Sequence, residues 1–424
     1  MTMEQTTKRL WNRDFLLLVF GQIISIFGNM VLSFALPLYI LDISESATMY
    51  GLVLAVPYIS LIITSPIGGM IADRLRKQRI MFWLDAITTV IIVLYMAASG
   101  FFAAAVPLVI IKLLALNAIQ GMYMPAVQAA VPALAPADKL VPANSVTSMV
   151  NMFSGMAGMA VAGILYANFG LFPILAVSAL CFAATAVMDL LIRIPYKKQE
   201  SAGGLVQVVK SDMSLSARFM TKEKPILSKC AIIVFFLQIT LTPMVIVGVP
   251  VLITQNLGLG MDLVGISSSI MMLGGLVGGI LAGVIGGRLT IHKMSLLLAM
   301  GSILTLPIGL VFLFDMSALA AYIIITAATA LMLAVLQMAS IQFFAFVQGT
   351  VPSELIGKVM SLLVILPFIA NGAGSLIYGV LFERFESLPW IVVFGTIILS
   401  VLVAWYAHRQ FRHVSVTAPE EEIS

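Results

Sequence analysis

The chain has 424 residues, 61% of them hydrophobic and only 10% charged. Ordinary globular domains carry about 25% charged residues, so a water-soluble globule is excluded and a polytopic membrane protein is expected. The net charge of +4 follows from which loops hold the basic residues, and is no signal for nucleic acid.

A helix must run apolar for roughly 20 residues to cross a hydrocarbon core about 30 Å thick. Such runs are predicted at 15–40, 50–72, 80–100, 107–131, 144–167 and 171–194, then at 226–254, 262–287, 293–314, 317–347, 354–382 and 388–407. The first is too long for a signal-peptide core and lacks a cleavage pattern, so it is expected to stay in the mature protein. All of the 23 Lys and Arg except Lys112 and Arg384 fall on the side that holds both termini, which the positive-inside rule makes cytoplasmic. Cys181 and Cys230 lie in or beside spans and suggest no disulfide framework.

Amides in hydrocarbon need partners, so they report which spans face protein or water. In span one, Gln22, Ser25, Asn29 and Ser33 recur at steps of three and four and share one helical stripe. Spans two and three are joined by Gly69, Asp73, Arg74, Arg76, Lys77 and Arg79, a Gly-x-x-x-Asp-Arg-x-Arg-Lys-x-Arg hinge. Asp85 follows about a turn and a half into span three and is expected to pair with this basic cluster, while being the best carboxylate candidate for a protonation switch.

Span four carries Lys112, Asn117, Gln120 and Gln128; Lys112 sits toward the outer end, where a snorkelling route to the headgroups competes with an internal role. Span five repeats the polar stripe as Asn144, Ser148 and Asn151, and its Gly155, Gly158 and Gly163 form a face for close helix packing. In span six, Asp189 has the spacing for an i,i+4 pair with Arg193.

The polar stretch from Pro195 to Pro225 divides six spans from six, with Leu205 to Met220 readable either as a surface helix or as plain linker. The predicted domains are 1–194, a first six-helix bundle; 195–225, a cytoplasmic linker; 226–407, a second bundle; and 408–424, a cytoplasmic tail. In the second half Gln238, Gln337, Gln342 and Asn371 are the intramembrane amides, and Gly274, Gly275, Gly278, Gly279 and Gly283 form another small-residue face. Pro37, Pro57, Pro66, Pro243, Pro250, Pro307 and Pro367 are expected to kink their helices.

The chain looks doubled. Gly283, Gly287, Arg288 and Lys293 echo the Gly69 hinge at an offset of 214, and Pro352-Ser-Glu354 echoes Pro136-Ala-Asp138 at an offset of 216. Copies six spans apart return to the same membrane face, as a parallel repeat requires.

The hinge, the doubled six-span plan and the polar stripes together resemble the major facilitator superfamily, over essentially the whole chain. Asp73 and Arg74 match the acidic and basic positions of the family's signature between helices two and three, with Arg76 where glycine is commoner. Met124-Pro125-Ala126, Arg193-Ile194-Pro195 and Pro352 through Ser361 resemble the branch of bacterial macrolide and drug exporters. Two positions depart from that branch: Leu116 stands where an arginine is frequent, and Met159 follows Gly158 where Gly-Pro is usual.

The resemblance implies an all-α fold of twelve transmembrane helices in two six-helix pseudo-repeats, in which Asp73 and Arg74 latch the cytoplasmic side shut. It also implies a bacterial plasma-membrane protein with both termini cytoplasmic, monomeric, exporting hydrophobic drug-like compounds in exchange for protons. The gating motif is then Gly69, Asp73, Arg74, Arg76, Lys77 and Arg79; the cavity amides and hydroxyls are Gln22, Ser25, Asn29, Ser33, Asn117, Gln120, Asn151, Gln238, Gln337, Gln342 and Asn371; the coupling candidates are Asp85, Lys112 and Asp189.

Few fixed charges accompany these amides, which suits large, mostly apolar substrates. There is no Walker A sequence, no His-Glu-x-x-His and no paired catalytic carboxylates, so no ATP drive within this chain, enzyme activity, cofactor or metal is expected. A facilitator or flippase of lipid-like or siderophore-like molecules, without proton antiport, is the competing reading.

Overall fold

The computed structural model describes residues 11–99, 106–136, 139–194, 214–285, 291–314 and 316–412. Twelve helices in it are long and apolar enough to cross a membrane. They are α1 (Arg13–Ser44), α2 (Ala47–Arg74), α3 (Lys77–Ser99), α4 (Val106–Leu134), α5 (Leu140–Phe169) and α6 (Leu171–Leu191). The second set comprises α7 (Pro225–Asn256), α8 (Met261–Ile285), α9 (Lys293–Leu313), α10 (Ala318–Thr350), α11 (Ser353–Arg384) and α12 (Pro389–Phe411). The all-α membrane architecture read from the sequence is the one observed.

Helix ends follow local chemistry. Asn12 caps α1 by accepting from the Phe15 amide at 2.8 Å, and its own amide donates to the Leu134 carbonyl at 3.0 Å, tying the start of α1 to the end of α4. Gly170, at φ +72°, makes the turn between α5 and α6 that a residue with a Cβ would resist. Ser46 caps α2 by accepting from the Met49 amide.

Prolines act as expected in α7 and α9. Pro243 and Pro250 cannot donate backbone hydrogen bonds, and α7 relaxes into π-helical turns at Met244–Gly248 and Leu252–Asn256. Pro250 leaves the Ile246 carbonyl without its usual α-helical donor, and the Tyr50 hydroxyl reaches that carbonyl at 3.4 Å. The α9 helix is interrupted between Ile303 and Leu306, just ahead of Pro307.

The chain forms two compact units. Unit 1 takes Met1–Gly203 with Ile246–Met272 and Ser375–Glu386; unit 2 takes Gly204–Val245, Leu273–Gly374 and Ser387–Ser424. Within unit 1, α2 packs on α4, α1 on α5 and α6, and α3 on α6. Two apolar clusters fill the space between these helices: one around Phe15, Met81, Ile119 and Ala126, the other around Val31, Leu36, Ile92 and Leu113. The outward surface is equally apolar, with Leu94, Phe169 and Leu180 each at least 64% exposed. Helices that are hydrophobic all round are those of a membrane interior.

Glycines set the closest approaches in unit 1. A Cβ on Gly163 would stand 2.7 Å from the Gly265 Cα, and one on Gly51 would stand 2.3 Å from the Ser375 carbonyl oxygen. In unit 2 a Cβ on Gly278 would meet the Ala334 carbonyl oxygen at 2.1 Å, whereas one on Gly275 meets nothing within 4 Å. The expected small-residue faces therefore divide into positions of real backbone contact and positions without it. Of the Leu205 to Met220 segment, 205–213 lies outside the described residues, while Phe219–Glu223 is a π turn whose Phe219 and Met220 are buried.

Candidate functional site

Unit 2 encloses a cavity of about 280 Å³. Gln238 and Thr242 of α7, Gln337 and Ser340 of α10, and Asn371 of α11 supply its polar lining among Leu, Met and Phe side chains. Thr242 donates to the Gln238 side-chain oxygen, and Asn371 is 8% exposed with its Oδ1 lacking a hydrogen bond. An unsatisfied buried carbonyl costs about 1–3 kcal/mol, and this oxygen is closed off from solvent at the edge of the cavity. The sequence predicts Gln238, Gln337 and Asn371 as cavity residues, and the fold brings the three together. Gln342, five residues after Gln337, is turned about 140° around α10 at 100° per residue and does not line this cavity. Thr242 and Ser340 were missed, because a hydroxyl within an apolar run carries little signal when it can satisfy itself on its own helix.

Unit 1 holds a second, more polar cavity of about 420 Å³ between α1, α4 and α5. Its polar lining is Gln22, Gln128, Thr147, Ser148 and Asn151. Gln22 is 3% exposed and donates to the Tyr123 hydroxyl at 3.0 Å; Asn151 donates to the Thr147 carbonyl at 2.8 Å. Ser25 is buried beside Gln22 on the same stripe and hydrogen bonds Tyr123. The remaining candidates go elsewhere: the Ser33 hydroxyl donates to Asn29 at 3.4 Å, Asn117 turns back to the Leu113 carbonyl at 2.9 Å, and neither they nor the half-buried Gln120 line this cavity. Tyr123 is not singled out by spacing or motif, although a tyrosine in an apolar helix has a hydroxyl that needs a partner.

The three charged candidates take unexpected partners. Asp85 is 2% exposed and has the Thr185 hydroxyl of α6 as its hydrogen-bond partner, leaving Oδ2 without one. The sequence predicts a pairing with the basic hinge; Arg76 and Arg79 of that hinge are exposed and no ion pair from the described hinge residues reaches Asp85, while the Arg74 side chain lies outside the described residues. Asp189, also 2% exposed, does not make the expected i,i+4 pair, because α6 ends at Leu191 and carries Arg193 off the helix, where its backbone amide donates to Asp14 at 3.1 Å. Asp189 Oδ2 has no hydrogen bond, and Asp85 lies near enough to be felt electrostatically by the Asp189 carboxyl. Lys112 does not snorkel: at 4% exposure its Nζ lies 3.9 Å from the centre of the Tyr95 ring with no hydrogen bond.

Gly69, Asp73 and Arg74 belong to the last turns of α2, and Lys77 and Arg79 to the start of α3, with Arg76 in the link. The side chains of Asp73 and Arg74, with Asn144, Gly287, Arg288 and Glu354, lie outside the described residues. No group of His, Cys, Asp or Glu among the described residues is arranged to hold a metal.

Twelve apolar helices of membrane length, with amide-lined cavities inside the bundles, define a multi-pass membrane transporter. The chain belongs to the Major Facilitator Superfamily, whose model matches residues 18–366. It is similar to Macrolide efflux protein A of Streptococcus pyogenes, with 22% identity over 399 residues that cover 93% of this chain and 95% of that protein. Among solved structures it resembles the nucleoside transporter NupG, with a TM-score of 0.74 and 12% identity over 95% of this chain and 100% of that one. It also resembles a D-xylose-proton symporter, with a TM-score of 0.71 and 14% identity over 93% of this chain and 96% of that one. At such identities the structural likeness is one of fold.

Proposed function

We propose that this protein exports hydrophobic, drug-like compounds across the bacterial plasma membrane by alternating access, in exchange for protons. The observation that carries the reading is the unit 2 cavity, whose walls are apolar and whose polar groups are the amides of Gln238, Gln337 and Asn371 with no charged side chain among them. Such a lining takes up large neutral or weakly charged molecules, because a fixed charge on the ligand would have no opposite partner. The likeness to Macrolide efflux protein A supports the same class of cargo. Export needs a driving ion, and the Asp85 and Asp189 pair in unit 1 is the proposed coupling site, with Lys112 as a further ionisable group inside the same unit. Asp73 and Arg74, with Gly69, Arg76, Lys77 and Arg79, form the proposed latch on the cytoplasmic face, and both termini are placed on that face. The protein is proposed to act as a monomer.

The test is accumulation of a panel of macrolides and lipophilic dyes in bacteria lacking their own pumps, with and without a protonophore. Expression is expected to lower accumulation of at least one compound, the protonophore to restore it, and Asn371→Ala or Gln337→Ala to weaken efflux. Unchanged accumulation across the panel would sink the reading.

A second reading, a facilitator or flippase for lipid-like molecules, is favoured by one feature. An apolar groove of about 660 Å³ in unit 1 runs along α1 and α5 past the exposed Trp11, Met149 and Phe153. Transport that persists undiminished after the proton gradient is collapsed would select it.

A further inference from the structure

The apolar groove of unit 1 is built on one face of α5. Val146, Val150, Phe153 and Ala157 recur at steps of three and four and share a stripe that lines it. Thr147 and Asn151, on the neighbouring stripe, line the polar cavity instead. To the groove α1 adds Trp11, Ile23 and Phe27, and α6 adds Cys181. No lining residue is charged, and Ser154 is the one hydroxyl among them. Met149 and Phe153 are more than half exposed, so the groove opens sideways to the surroundings of the helices. For helices of membrane length those surroundings are hydrocarbon.

The depth of the groove is that of one leaflet. From Val146 to Ala157 the helix rises about 16 Å, against about 15 Å for half of a hydrocarbon core. At the N-terminal end of α1, Trp11 is 55% exposed with its ring edge-on to the buried Phe15, centroids 5.8 Å apart. Indole rings settle where headgroups meet hydrocarbon. The same end is positively charged. Arg13 opens α1, and Arg193 follows the end of α6 at Leu191. The Arg193 backbone amide donates to Asp14 Oδ1 at 3.1 Å, which brings both arginines to one junction and engages the acid between them. Both arginine side chains are exposed, and neither guanidinium pairs with a carboxylate among the described residues.

We propose that this groove binds an acyl chain of an anionic phospholipid from the leaflet on the N-terminal side of α1, with the lipid phosphate at Arg13 and Arg193. The apolar stripe of α5 takes the chain, and guanidinium groups take phosphate oxygens in pairs. A lipid of no net charge fits the same groove but leaves the two cations uncompensated, so headgroup charge sets the preference. Such a bound lipid is compatible with either transport reading, since neither depends on it.

The experiment uses the full-length protein in vesicles with Trp11 as its single tryptophan, after Trp83→Phe, Trp390→Phe and Trp405→Phe. The probes are phosphatidylglycerol and phosphatidylcholine brominated on their acyl chains near the headgroup, since bromine quenches an indole that it touches. Brominated phosphatidylglycerol is expected to quench Trp11 at lower fractions than brominated phosphatidylcholine, and unlabelled phosphatidylglycerol to relieve that quenching. Arg13→Gln and Arg193→Gln should each weaken the preference about fivefold, the contribution of one basic residue at an anionic lipid surface. Ala157→Phe, which fills the groove at an exposed position, should weaken it too.

Equal quenching by the two lipids would show ordinary bilayer contact and overturn the site. A preference unchanged in both arginine variants, or fully kept in Ala157→Phe, would overturn it as well. Quenching relieved by a macrolide but not by unlabelled phosphatidylglycerol would give the groove to cargo and also overturn the proposal. If the single-tryptophan protein fails to fold, as circular dichroism reveals, native mass spectrometry of the wild type counts the retained lipid. No excess of phosphatidylglycerol over phosphatidylcholine there would overturn the site. Export itself is tested separately by the accumulation panel, so the two can fail independently.

Discussion

Lys112 Nζ sits 3.9 Å from the centre of the Tyr95 ring, in an apolar cluster that includes Val109, Leu113 and Ile92. A desolvated ammonium over an aromatic face gains about 2 kcal/mol, which offsets part of what its missing hydrogen bonds cost. Tyr95→Leu is therefore expected to lower the melting temperature of the purified protein, since it leaves the ammonium without the ring. Adding Lys112→Met should recover the loss, because it removes the buried charge while keeping the volume. Equal melting in Tyr95→Leu and wild type would show that the ring does not support Lys112.

Glu383 binds the start of α2. Its carboxylate accepts from the Ser46 hydroxyl at 2.5 Å and from the Thr48 amide at 2.8 Å. A carboxylate at an exposed helix N-terminus contributes about 0.3–1 kcal/mol and is screened by salt. Glu383→Gln is expected to raise the labelling rate of Thr48→Cys by a membrane-impermeant maleimide, up to about fivefold for 1 kcal/mol, with the difference shrinking at high salt. Identical rates at low salt would count against this contact.

The glycines separate two outcomes. Gly163→Ala places a methyl against the Gly265 Cα at 2.7 Å and the Met261 carbonyl at 2.9 Å, and neither backbone atom can give way without moving a helix. This variant is expected to lose about 1–3 kcal/mol, in the range of overpacked cores, and to melt earlier. Gly275→Ala meets nothing and should melt at or slightly above the wild-type temperature, as a helix gains on replacing glycine.

Asp73→Asn should abolish most transport while leaving the protein in the membrane at normal levels, because it removes the charge of the proposed latch but preserves the side chain's shape. Normal efflux kinetics in this variant would remove Asp73 from the gate. Lys77→Ala and Arg79→Ala, if their role is topological, should change transport by less than twofold or so, within the range of surface substitutions.

The sequence by itself determined the twelve spans, the family and three of the residues that line the unit 2 cavity. Spans are legible because the membrane acts locally: each helix must present some 20 consecutive apolar residues regardless of its neighbours. Gln238, Gln337 and Asn371 were legible for the converse reason, since an amide in such a run stands out whatever surrounds it. Only the tertiary structure decided what Asp85, Asp189 and Lys112 touch. Spacing along one chain suggests Arg193 for Asp189 and the hinge for Asp85, and leaves Lys112 between the headgroups and an internal role. Yet α6 stops two residues short of Arg193, Asp85 turns to Thr185, and Lys112 lies on a ring from α3. Those partners come from other helices, and the packing that sets each helix's rotation involves contacts more distant in sequence than any local pattern can record. The Gln22 to Tyr123 bond, spanning 101 residues, is of this kind. It exists because α1 and α4 bury the Gln22 amide and the Tyr123 hydroxyl against each other, where a polar group needs a partner.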